Sequence, residues 1–175
     1  MLLRSLASFA CSILFATSTL AQAGRPAPSP SETATASLNG KTVTVKYGAP
    51  SMRGRKVVGE LVPYDKVWRT GANESTSFVT ETSLKIGNAT VPAGSYTLYT
   101  LPGSSQWLLI VNKQTGQWGT NYDKSQDLAR IPMKSGKLAS PQDKMSITFE
   151  NTSGNSTELH VKWENADESV TVTAQ

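Results

Sequence analysis

Cysteine and histidine are nearly missing from this chain: Cys11 and His160 are the only examples among 175 residues. One histidine cannot support a multi-histidine metal centre, and one cysteine can form neither a thiolate zinc site nor an intrachain disulfide. No Asp-x-Asp-x-Asp-Gly spacing offers a calcium loop, and no Gly-x-Ser-x-Gly turn offers a hydrolase nucleophile. A run of ~20 apolar residues, the length that crosses a bilayer, is also lacking. The formal net charge of +4 is scattered rather than gathered into a basic face, which argues against a nucleic-acid partner. Sustained helical periodicity and internal repeats are absent as well. The expectation is a protein without metal or cofactor, stabilised by packing alone.

The one apolar cluster stands at the start. Residues 1–23 carry Arg4, an apolar run over 6–16 and the small-residue end Ala21-Gln22-Ala23, the pattern of a secretory signal peptide. Cys11 lies inside the apolar run, where no acylated N-terminus would begin, so no stable membrane anchor is expected. Cleavage after Ala23 makes the mature protein periplasmic or secreted, with Gly24 first. Pro26, Pro28 and Pro30 make 24–32 an extended, unpaired tether. A single domain over 33–175 follows, long enough for a substantial core.

Strand signals fill that domain. Asn39-Gly40 between 34–38 and 41–47 fits the positive φ angles of a type I′ hairpin turn, with Val43, Val45 and Tyr47 on one face. Residues 84–86 and 89–91 form a second hairpin around Gly87-Asn88. Residues 95–101 continue the strands, and 107–111 read as a central strand covered on both sides. Pro132 makes 128–133 an edge strand, because proline cannot donate to a ladder. A third hairpin joins 145–149 to 159–163, and 169–173 closes the domain. About ten short strands imply an all-β fold, an antiparallel β-sandwich of jelly-roll-like or barrel-like form.

The densest chemistry lies in 63–76. At Pro50-Ser51-Met52-Arg53-Gly54-Arg55-Lys56, Gly59-Glu60-Leu61-Val62-Pro63-Tyr64 and Trp68-Arg69-Thr70-Gly71-Ala72-Asn73-Glu74 the chain resembles a bacterial exported family known as domain of unknown function 2911. The resemblance continues through 91–98, 107–113 with Trp118-Gly119, 127–130 and 159–163. It implies a periplasmic or secreted β-rich domain and supplies no catalytic residues, so function rests on the chemistry of the side chains.

Arg53, Arg55 and Lys56 around Gly54 can converge on an anion, or form a solvated basic turn. Arg69, Asn73 and Glu74 supply a cation, an amide and a carboxylate. These either orient a polar substrate and move a proton, or pin the loop through an Arg69–Glu74 ion pair. Trp68 is expected to bury its ring, and Gly71 to take a backbone angle other residues avoid. His160 alternates with Leu159 and Val161 and is expected to be exposed or at a site rim. Tyr64 and Trp118 offer flat surfaces for a sugar, Trp118 standing in a glycine-bracketed loop. The leading expectation is binding of a small polar or anionic molecule, a glycan or cell-envelope fragment, at the arginine-rich loop and 69–74. The alternatives are a metal-independent hydrolase or lyase, with Glu74 as acid or base, Arg69 stabilising charge and Asn73 orienting, and a structural envelope component.

Overall fold

A computed structural model describes residues 29–175. The expected signal peptide and residues 24–28 of the proline-rich segment lie outside the described residues. Ten antiparallel strands form two sheets, in the orders β1-β2-β3-β6-β7-β8 and β5-β4-β10-β9. They run β1 Ser31–Leu38, β2 Lys41–Gly48, β3 Thr76–Thr80, β4 Leu84–Ile86, β5 Ala89–Val91, β6 Gly94–Leu101, β7 Leu108–Asn112, β8 Asp127–Pro132, β9 Lys134–Ser153 and β10 Ser156–Ala174. The fold is a sandwich rather than a closed barrel.

Local chemistry explains the first hairpin. Asn39 and Gly40 both take positive φ, 49° and 75°, which matches the twist of the flanking strands. β2 then sends Val43, Val45 and Tyr47 inward. They meet Phe78, Leu98 and Leu109 from the same sheet, and Ile86, Ile147 and Leu159 from the facing one. Tyr47 ties the layers together, because its hydroxyl accepts from the Ile147 N–H at 3.0 Å. β1 begins at Ser31, opposite Gly48. Ser31 and Glu32, read as the end of a tether, are therefore paired, and Lys144 on β9 donates to the Glu32 carboxylate.

β7 is buried on both faces: Leu109 and Val111 lie in the inter-sheet core, while Ile110, fully buried, pairs with Tyr99 on the outer side. That outer side is roofed by residues 114–122, where Thr97 Oγ1 donates to Gln114 O at 2.7 Å and Gln117 Nε2 to the Tyr99 hydroxyl at 3.0 Å. β8 pairs only with β7 and is an edge, as Pro132 requires.

β9 and β10 depart most from the sequence expectation. They form one hairpin of 20 and 19 residues, with a register shift that leaves 138–141 of β9 without partners opposite Glu164 and Ala166. Glu164 sits at φ 54°. His160 Nδ1 and Asp167 Oδ1 lie 2.6 Å apart, although seven residues of straight strand would span about 23 Å. β10 is therefore sharply creased at Glu164–Ala166.

Candidate functional site

The loop from Ala49 to Ser75 is held by backbone contacts. Ala72 N–H donates to Gly48 O at 3.0 Å, and Met52 N–H to Asp143 O at 2.8 Å. Trp68 pairs with Thr100, exchanging N–H donations of 2.8 and 3.0 Å, and so extends the sheet beside β6 where β3 has ended. Its ring turns inward and stacks on Trp163. Alternation then sends the next side chain, Arg69, to the outer face.

There Arg69 lines a cleft of about 270 Å³ with Leu61, Tyr99, Gly119 and Tyr122. Its Nε donates to Gly71 O at 3.2 Å, and it forms no ion pair with any described carboxylate. The alternative of an Arg69–Glu74 ion pair is not realised, since Glu74 is exposed in a different cleft. Gly119 makes room for the arginine stem: a Cβ there would lie 2.5 Å from Arg69 Cδ. Gly71 likewise serves close approach, not an unusual φ. A Cβ on it would lie 2.9 Å from Gly48 O, whereas the left-handed positions are Thr70 and Asn73.

The aromatic wall of this cleft is neutral. Tyr122 packs edge-on against Tyr99, with ring centres 4.9 Å apart. Its hydroxyl donates to Asp127 Oδ2 at 2.6 Å and accepts from Arg130 Nη2 at 2.7 Å. Burial, reinforced by the Asp127 carboxylate, pushes the Tyr122 hydroxyl up to about 12. Burial also raises Tyr99, so both keep their protons at ordinary pH. Among the described residues, Arg69 is the only charged one lining the cleft.

A bridge between Glu74 and Trp118 runs alongside, with Ser75 N–H donating to Gln117 O and Gly119 N–H to Asn73 O. Trp118, Asn73 and Glu74 line a second cleft of about 310 Å³ with Lys46 and Ser77. Trp118 is 52% exposed, an open indole face above polar side chains. The family model described as "Protein of unknown function (DUF2911)" matches residues 29–172. The chain belongs to that family. No curated protein and no solved structure matches it.

Within this DUF2911 domain the other expected site residues are dispersed. The Arg53 N–H is held by Asp143 Oδ1 at 3.0 Å. Arg55 folds back on its own turn, donating to Met52 O and Ser51 O at 2.9 and 3.0 Å. Lys56 and Tyr64 line a third cleft. His160 is only 9% exposed, contrary to expectation, because the crease in β10 lays Asp167 over it. Its Nε2 lies 3.9 and 3.8 Å from the Glu150 and Glu158 carboxylates, and among the described residues no group of His, Cys, Asp and Glu could hold a metal ion. Lys46, Ser77 and Tyr122 were not singled out in the sequence. They sit on strands and a loop whose outward faces converge only after pairing.

Proposed function

We propose that the protein is exported and binds a small anionic ligand, a sugar acid or comparable cell-envelope fragment, through Arg69. The observation that carries this reading is a half-buried guanidinium without an acidic partner among the described residues, set among neutral aromatic and apolar walls. Such a group retains donors for a planar carboxylate, and the low-dielectric surroundings strengthen the contact. The neighbouring Trp118 cleft offers a stacking face for a sugar ring. Arg69 and Glu74 line different clefts, so this geometry does not support an acid–base mechanism that uses both.

Thermal-shift titration with glucuronate and with glucose tests the binding reading, since a ligand that binds the folded state raises stability by about 2.7 kcal/mol at a hundred times its Kd. Glucuronate is expected to raise the melting temperature and glucose to have little effect. Arg69→Lys, which keeps the charge but loses the planar fork, should weaken the response, and Arg69→Ala should abolish it. Equal shifts by the two sugars, or an unchanged response in Arg69→Ala, would reject an arginine-centred anion site.

Export is tested separately by intact mass spectrometry of extracellular and periplasmic material. The expected species begins at Gly24. Recovery of a chain that still carries Cys11 would overturn the proposed processing.

A further inference from the structure

The third cleft, about 350 Å³, opens where the creased hairpin meets the loop around Lys56 and Tyr64 and the turn leading to Trp107. It shares no lining residue with the Arg69 cleft. Carboxyls and lysines both line it: Glu164 and Glu168 from β10, Lys137 from β9, and Lys56 from the loop. The two carboxyls are not equivalent. Glu164 Oε2 is occupied by the N–H groups of Val57 and Val58, at 3.0 and 2.9 Å, and holds that loop in place.

Glu168 is only 4% exposed, takes one hydrogen bond, from Ser135 Oγ at 2.7 Å, and has no ion-pair partner among the described residues. A carboxylate withdrawn from water is normally paired, because its hydration is otherwise lost without return. Here the missing counter-charge has a place to enter. Trp107, also nearly buried, shares the cleft floor, while Lys56, Lys137 and Tyr64 are exposed at its margin.

We infer that this cleft binds a small zwitterion, a free amino acid or short peptide, whose ammonium seats between Glu168 and Trp107 and whose carboxylate meets Lys56 and Lys137. The ammonium supplies the charge that Glu168 lacks, and the indole face adds a cation–π attraction. A simple anion would find the lysines but face two carboxyls. A simple amine would satisfy Glu168 and leave the lysines unused, and a neutral sugar would satisfy neither.

Burial, to which the nearby Asp167 carboxylate adds and the Ser135 hydrogen bond is opposed, holds the Glu168 carboxyl above the usual carboxylate range. The ammonium favours the ionised form, so binding releases a proton. Affinity therefore rises with pH through the raised range of Glu168 and falls again as the ligand's α-amino group loses its proton, at about 7.7–8.0.

Isothermal titration of the exported chain with alanyl-alanine, in its L,L and D,D forms, tests the inference. N-acetyl and C-amide derivatives serve as probes of the two charged ends. At least one dipeptide is expected to bind with a Kd of about 1 mM or tighter, and blocking either terminus to weaken it about tenfold or more. Glu168→Gln should lose the dipeptide without losing the folded state. Lys137→Ala, at an exposed position, should weaken the free dipeptide several-fold and leave the amide unchanged. No binding by either dipeptide up to about 10 mM, indifference to blocked ends, or wild-type affinity in Glu168→Gln would overturn the proposal. Failure here would leave the glucuronate response untouched, and the reverse also holds.

Discussion

Trp163→Ala is expected to lower stability by about 3–5 kcal/mol, a large share of the ~5–15 kcal/mol typical of a folded domain. Trp163 stacks on Trp68 at 5.8 Å and 19°, and Trp68 meets Trp107 edge-on at 6.3 Å and 90°. The indole N–H of Trp163 also donates to Asp143 O at 2.9 Å. The three rings come from β10, the central loop and the residue just before β7, so their contact joins the two sheets and the loop. Deleting Trp163 leaves a cavity beneath Trp68 and frees the backbone whose next side chain is Arg69. The glucuronate response should weaken with it, although Trp163 lines no part of that cleft. Urea denaturation measures the first effect, and a loss below about 1 kcal/mol would show that the loop is anchored elsewhere.

The second large effect concerns Gly48. A Cβ at this position would lie 2.2 Å from Ala72 O and 3.0 Å from Ala72 C. Both obstacles are backbone, so no rotamer change can relieve the overlap. Gly48→Ala is expected to cost about 1–3 kcal/mol or more by driving the 71–73 turn away from the end of β2. Asn73 would move with it, and the bridge that presents Trp118 would loosen. Gly54→Ala provides the contrast: that glycine has φ 73° with open space around it, so only left-handed strain is added, about 1–2 kcal/mol. Thermal melts of the two variants decide the matter. Equal losses would mean that the Gly48–Ala72 approach is easily relaxed.

Features governed by a few adjacent residues were legible in the sequence. The Asn39-Gly40 hairpin follows from positive φ alone, and the edge position of β8 from a missing proline donor. Longer reach was not legible. Glycine and proline are depleted in strands, yet Gly136 and Pro141 lie within β9, beside and within the stretch where pairing with β10 lapses. Alternation with Leu159 and Val161 points His160 outward, but its burial depends on Asp167 returning over it. Arg69 and Glu74 are five residues apart and of opposite sign. The reason they do not pair is that alternation and the left-handed turn at Asn73 send them to different clefts. Trp118 was marked as exposed because glycines bracket it, whereas its partners Lys46 and Ser77 carried no local signal. Family membership supplied no site residues, so the clefts emerge only from the assembled sheets.

The strand order β5-β4-β10-β9 also bears on how the chain matures. Ile86 pairs with Val172, so β4 has no sheet partner except the short β5 until a segment more than eighty residues downstream arrives. Closing so long a loop before its contacts form is slow. As the chain emerges from a ribosome or a translocation pore, Leu84, Ile86 and Val91, all fully buried in the finished protein, stay uncovered until β10 follows. A β10 delayed in production therefore prolongs the exposure of this apolar set.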